Sequence, residues 1–287
     1  MVRPQKRFGQ HWLQSSRVLG KILQAGALTP EDHVLEIGPG TGVLTRPLLA
    51  AAGQVTSVEV DRDAYQALTT TLTHPNWNLI LADFLKLDLA ALPDPKPNKV
   101  VANIPYNITG PILIKLLGTI SHPQALPFES LVLLTQAEVA SRILASPADK
   151  AYGALSLRVQ YLAKPEKICH VPPTAFFPPP KVDSTVIRLT PQAPPIPCDC
   201  PPLLDELIQL GFATRRKMLI NTLKGRVARD VLLNAFQDLN ISAQTRAENL
   251  DLKTWIQLSN WLDQAGLESV SSDKLLLFGQ GQLNRLK

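Results

Sequence analysis

The chain has 287 residues, 45% hydrophobic and 18% charged, which is enough apolar material for a large core and excludes wholesale disorder. Its 29 Lys and Arg against 24 Asp and Glu leave a formal charge of +5, a mild bias toward anionic partners that names none of them. Three cysteines (Cys169, Cys198, Cys200) argue against a disulfide framework, and Cys198-Asp199-Cys200 has the wrong spacing for a zinc knuckle, so no metal is expected.

The N-terminus, MVRPQKRFGQHWL, is basic but has no apolar run behind it, so it does not read as a signal peptide. No stretch approaches the roughly 20 apolar residues of a membrane span. A soluble cytoplasmic protein, without a membrane partner and monomeric, is expected. Apolar residues at helical spacing predict a helix over Ser15 to Leu28. Strands and helices then alternate: strand His33 to Ile37, helix Leu44 to Ala51, strand Gln54 to Val60, helix Ala64 to Leu72, strand Leu79 to Ala82. The pattern goes on with strand Lys99 to Asn103, helix Gly110 to Leu117, strand Leu131 to Thr135 and a helix from near Gln136. Such alternation predicts an α/β fold with a mostly parallel, Rossmann-like sheet. Beyond a helical stretch, Ala151 to Leu162, the strands Lys167 to Val171 and Thr185 to Thr190 flank the proline-rich "VPPTAFFPPPKVDS" and are expected to pair antiparallel. "PQAPPIPCDCPP", from Pro191 to Pro202, reads as a linker, and every predicted element after it is helical. The domains expected are 1–195 and a smaller, all-helical 203–287.

"VLEIGPGTGVLT" is a strand, a glycine turn and a helix start, where Gly38, Gly40 and Gly42 let a ligand lie against bare backbone. The pattern alone is shared by several α/β families. Glu59 ends the next strand, about 20 residues on, where ribose hydroxyls are held in such sheets. Asp83 follows the third strand and can accept from an adenine amino group. NAD and S-adenosylmethionine both remain candidates. The Gly-x-Gly-x-Gly spacing and the lack of hydride-transfer machinery weigh against NAD.

The segment "VANIPYNITG" then ends a strand with an amide, a rigid turn and an aromatic ring. With a methyl sulfonium as donor, that combination has a chemical use. An exocyclic amine on a base is a poor nucleophile because its lone pair is delocalised. The Asn103 amide oxygen and the Ile104 carbonyl can each accept one N–H and free the lone pair, while Pro105 fixes the carbonyl direction and Tyr106 offers a stacking face.

"NIPY" resembles the [N/D]-[P/I/L]-P-[Y/F/W] motif of amino-methyltransferases. With it, "KRFGQHWL", "LLTQAEVASRI", "AFFPPPKVDSTVIRL" and "FATRRKMLINTL" resemble the successive signatures of the ribosomal RNA small-subunit (16S) adenine N6-dimethyltransferases, the KsgA/RsmA type. The matches run from about Lys6 to about Leu223. The resemblance implies an S-adenosylmethionine-dependent enzyme that dimethylates two adjacent adenosines in a hairpin near the 3′ end of 16S rRNA in the small ribosomal subunit. It implies cofactor contacts from His11, Leu13, Gly38, Gly40, Glu59, Asp83 and Asn103, and places Phe176 on the far side of the target adenine. One departure is visible: the family's Asn and Phe in Q-N-F-L are His11 and Trp12 here.

Lys6, Arg7, Lys181 and the cluster Arg215, Arg216, Lys217, expected to open a helix, are the candidate RNA-binding cations. The same-class alternative is a 23S adenine methyltransferase of the Erm type. A non-enzymatic nucleic-acid-binding factor on the same fold is a further alternative, against which the intact Gly38, Glu59, Asp83 and Asn103 argue. Methylation of protein glutamine, where Asn-Pro-Pro-Tyr is usual, leaves the basic helices unexplained.

Overall fold

This computed structural model describes residues 4–5, 9–125 and 128–268. Contacts divide them into two compact units, one from the described residues up to 117, 124–140 and 165–191, the other from 118–123, 141–164 and those from 192 on. Residues 141–164 thus group with the second unit, whereas the sequence reading places everything up to 195 in the first domain.

In the first unit, β1 (Trp12–Leu13) leads into α1 (Ser16–Gly26), capped by the Ser15 hydroxyl accepting the Val18 amide. Then β2 (His33–Ile37), α2 (Thr45–Ala51), β3 (Gln54–Glu59), α3 (Arg62–Thr71), β4 (Trp77–Leu81), β5 (Lys99–Asn103), α4 (Thr109–Leu117) and β6 (Ser130–Gln136) alternate. Following α5 (Ala137–Leu144) and α6 (Ala154–Leu162) come β7 (Ala163–Val171), β8 (Phe176–Phe177) and β9 (Ser184–Pro191). Seven strands form one sheet in the order β4-β3-β2-β5-β6-β9-β7. The first five are parallel and β9, last in the chain, is antiparallel to β6; its other neighbour is β7, the strand the sequence reading pairs it with.

Burial explains the apolar runs. β2 and β5 lie inside the sheet, and nearly all their residues are buried, so they do not alternate. β4 is an edge strand and only partly covered. At the amino ends of β2 and β5, Lys99 Nζ meets Asp32 Oδ2 at 2.9 Å, with 11% and 6% of the two side chains exposed. Burial alone would raise the Asp32 pKa; hydrogen bonds from Asn98 and Lys99 outweigh it and hold the carboxyl below its ordinary value. This ion pair clasps the end of the sheet away from the ligand side.

The second unit contains α6 and four further helices, α7 (Pro201–Phe212), α8 (Leu219–Leu223), α9 (Arg229–Asp238) and α10 (Leu252–Gln264). They pack around Trp255, Tyr152 and Phe236, and the Tyr152 hydroxyl donates to the Leu250 carbonyl at 3.0 Å. Two expectations change. Pro201 and Pro202, read as linker, open α7, where a missing N–H costs nothing. Arg215, Arg216 and Lys217 lie in a turn rather than in a helix, and α8 begins only at Leu219. The two-residue strands β1 and β8 were not predicted at all, and they pair with each other.

Candidate active site

The strand order places four sequence motifs in one row. β4, β3, β2 and β5 are parallel neighbours, so their carboxyl ends present, in spatial order, Asp83, Glu59, the glycine turn and Asn103. The chain reverses its winding direction at β2, the switch point where sheets of this kind open a crevice. A cavity of about 240 Å³ lies there, lined by all of these residues together with His11, Trp12 and Tyr106.

Each wall has a local cause. Gly38 and Gly40 have φ of 68° and 56°, backbone that side chains strain to adopt. A Cβ on Gly38 would project into open space, whereas one on Gly40 would meet the Trp12 indole at 3.0 Å. Gly42 does another job than the one read from sequence: its bare face is packed against Leu68 of α3 rather than against the cavity. Glu59 is buried, and its carboxylate accepts three backbone amides: Gly40 at 3.0 Å, Val60 at 2.9 Å and Asp61 at 2.8 Å. Burial pushes its pKa up against the pull of those bonds. One acceptor site of the carboxylate is left for a ligand. Asp83 uses one oxygen on the Leu85 amide at 3.0 Å, and its side chain is 40% exposed.

The Asn103 turn is held from two sides. Ile104 N donates to Leu134 O at 3.2 Å, continuing the β5–β6 ladder. Asn103 Nδ2 donates to the His11 carbonyl at 2.9 Å, which leaves the amide oxygen for another donor. The His11 ring stacks on Tyr106, with centroids 5.7 Å apart, and its Nδ1 lies 2.7 Å from the Pro178 carbonyl. The Tyr106 hydroxyl shares a hydrogen with buried Ser184 Oγ, so Ser184 serves the aromatic ring.

Not every expected site residue is brought to the cavity. Leu13 is buried in the core beneath β1 and does not line the cavity; its neighbour Trp12 does. Phe176 is 3% exposed and packed in the same core, while Phe177 is 53% exposed. The reason is the ribbon itself: Trp12 is opposite Phe177 and Leu13 opposite Phe176, so one pair faces out and the other in. Lys181 is exposed on the loop before β9, as are Arg216 and Lys217 in the second unit. Arg215 is tied down by Glu248 at 3.0 Å and by the Tyr152 carbonyl. Lys6 and Arg7 lie outside the described residues.

Residues that the sequence reading missed hold the N-terminal segment in place. Gln10 Nε2 donates to Asp61 Oδ2 at 2.9 Å, Gln5 Nε2 reaches the other oxygen at 3.1 Å, and Asp61 caps α3 through the Asp63 amide. The signal available was Asp61 itself, an acidic residue just ahead of a helix.

Comparison with known proteins identifies the family. The family model described as "Ribosomal RNA adenine dimethylase" matches residues 1–264. The chain is 52% identical over 268 residues to the protein named ribosomal RNA small subunit methyltransferase A of Nostoc sp., covering 91% of this chain and 99% of that one. The crystal structure of a dimethyladenosine transferase from Plasmodium falciparum superposes with a TM-score of 0.74 at 29% identity, covering 90% of this chain and 99% of the other. That of the 23S rRNA methyltransferase ErmE has a TM-score of 0.67 at 28% identity, covering 88% and 100%. With motifs, cavity and relatives in agreement, the chain belongs to the ribosomal RNA adenine dimethylase family.

Proposed function

We propose that this protein dimethylates the N6 amino groups of two adjacent adenosines in a hairpin loop near the 3′ end of 16S rRNA, using S-adenosylmethionine. The observation that carries the reading is the commitment of the Asn103 amide nitrogen to the His11 carbonyl, which leaves its oxygen to accept from an amine. The cavity fits the donor: bare backbone at Gly38, the spare acceptor site of Glu59 for ribose and, for an adenine amino group, the second Asp83 oxygen, which faces only the exposed Lys86 ammonium at 4.0 Å. His11 serves as cavity wall through its ring and backbone, in place of the family's Asn.

The bound donor supplies a methyl group already activated on a sulfonium. Asn103 Oδ1 and the Ile104 carbonyl hold the two amine protons and direct the nitrogen lone pair at that methyl; Pro105, at φ −60°, sets the carbonyl's direction. Tyr106 carries the target base on its ring. Phe177, Lys181, Arg216 and Lys217 offer stacking and phosphate contacts for RNA, and the cations of the helical unit suit it to RNA binding. Buried Phe176 supports this surface from below.

The test is methyl transfer to small subunits lacking the modification, followed by nucleoside analysis of each RNA. Dimethyladenosine in 16S rRNA is expected. Modification of 23S rRNA instead would identify an Erm-type activity, and no transfer by a protein that still binds RNA would identify a non-enzymatic factor.

A further inference from the structure

Several donor groups on the cavity wall are committed to the protein itself. In the glycine turn, the Gly38 amide donates to the Val58 carbonyl at 2.9 Å, Gly40 to Glu59 at 3.0 Å and Gly42 to the Pro39 carbonyl at 2.9 Å. The turn therefore does not form a nest of free amides for an anion. The Asn103 amide is on His11, and the Leu85 amide is on Asp83. Trp12 differs. Its indole N–H is buried and has no hydrogen-bond partner among the described residues, although the residue lines the cavity. A buried donor left without an acceptor costs about 1–3 kcal/mol, and in a native site such a group asks for an explanation. The family's motif has Phe at this place, which carries no such donor.

The position of the indole names the acceptor. A Cβ built on Gly40 would lie 3.0 Å from Trp12 Nε1 and 3.1 Å from Cδ1, so the N–H borders the bare backbone of the glycine turn. If Asp83 takes the adenine and Glu59 the ribose, the amino-acid end of the donor continues along the row to that turn. It brings a carboxylate, a strong acceptor, and an ammonium group, which cannot accept. Indole is a donor only.

We infer that Trp12 Nε1–H is a specificity contact for the carboxylate of S-adenosylmethionine, taking the role that glycine-turn amides play in folds where they are free. The inference rests on the cofactor placement given under Proposed function. It makes Trp12 a binding residue with no part in the transfer step.

Calorimetry with two ligands tests it: S-adenosylmethionine and decarboxylated S-adenosylmethionine, which keeps adenine, ribose, sulfonium and amine. Trp12→Phe, which installs the family residue and retains an aromatic wall, is expected to weaken S-adenosylmethionine binding roughly tenfold or more and to leave the decarboxylated ligand unaffected. In parallel, one indole N–H cross-peak, assigned by its loss in Trp12→Phe, shifts in the wild-type protein on adding S-adenosylmethionine but not the decarboxylated ligand. Equal weakening of both ligands would reduce Trp12 to a packing role and overturn the inference, as would no change in either. Wild-type protein that binds neither ligand would sink the cofactor placement itself, a result distinct from the other two.

Discussion

His11 stacks on Tyr106, their ring centroids 5.7 Å apart and their planes 25° from parallel. The same residue holds Asn103 through its carbonyl and lies against Pro178 through Nδ1. A segment 92 residues before the NIPY turn thus organises its amide, and the loop carrying Phe177 and Lys181 hangs on the same imidazole. Because the bond to Asn103 uses the His11 backbone, any residue at position 11 can make it, which accounts for how His replaces the family's Asn without loss of the turn.

Asn103→Ala should lower the single-turnover methyl-transfer rate roughly a hundredfold or more, the usual effect of losing one preorganised group at a reacting centre. RNA affinity should stay close to wild type, since the phosphate contacts remain. Rapid-quench kinetics on the folded variant measures this. A near-normal rate would mean that the turn is purely structural.

Tyr106→Phe should keep most of the rate, because the ring face is what the base uses. It should nonetheless be less stable by about 1–3 kcal/mol, because buried Ser184 loses its partner. Urea unfolding set beside the rate separates the two effects, and Tyr106→Phe in a Ser184→Ala background should recover part of the stability.

Phe176 and Phe177 are adjacent yet should respond oppositely. Phe176→Ala removes a buried core side chain and should cost about 3–5 kcal/mol. Phe177→Ala should hardly alter the melting temperature and should weaken RNA binding by about 1–3 kcal/mol through lost stacking. Melting curves and RNA titrations of both variants decide it; unchanged RNA affinity in Phe177→Ala removes that residue from the interface.

Arg216→Ala with Lys217→Ala should lower the log–log salt slope of RNA binding by up to about one unit per lost phosphate contact, leaving stability unchanged. Arg215→Ala should lower the melting temperature instead, because its guanidinium bridges Glu248 and the Tyr152 carbonyl. Titrations across a potassium chloride series measure the slope, and an unaltered slope places the RNA surface elsewhere.

Glu36 gives a pH dependence. It is buried, with Oε2 accepting from Thr45 at 2.8 Å and Ser57 at 2.7 Å. Burial, and to a lesser degree the charge of Glu59, lifts its pKa from about 4.5 to about 7. A raised folded-state value means the native protein holds the proton more tightly than the unfolded chain. The stabilisation is complete below about pH 4.5, falls as pH rises and is lost above about 7, an effect on the order of 3 kcal/mol. Glu36→Gln, neutral throughout, should flatten stability between pH 5 and 8 in urea unfolding. Parallel slopes for variant and wild type would show that Glu36 is not the group responsible.

Strands β2 and β5 were legible to the residue because a strand buried on both faces writes itself as an unbroken apolar run, and Gly38, Glu59, Asp83 and Asn103 were legible because ligand groups in a parallel sheet collect at strand ends. Three things were not. Two-residue strands such as β1 and β8 have no period to detect, so which of Leu13 or Trp12, and of Phe176 or Phe177, is buried in the core stayed hidden until the pairing register was known. The Asp32–Lys99 clasp joins residues 67 apart, and nothing local in either residue announces the other. The tasks of the turn glycines also divide only in space, Gly38 toward the cavity, Gly40 against Trp12 and Gly42 against Leu68. Sequence by itself determined the fold class and the place of the Asn103 turn, since local spacing and strand ends carry them, while the donor followed from the family's motifs; tertiary structure alone decided which of two neighbouring side chains is buried and that the buried Trp12 indole is left uncommitted, because both depend on partners that only folding brings within reach.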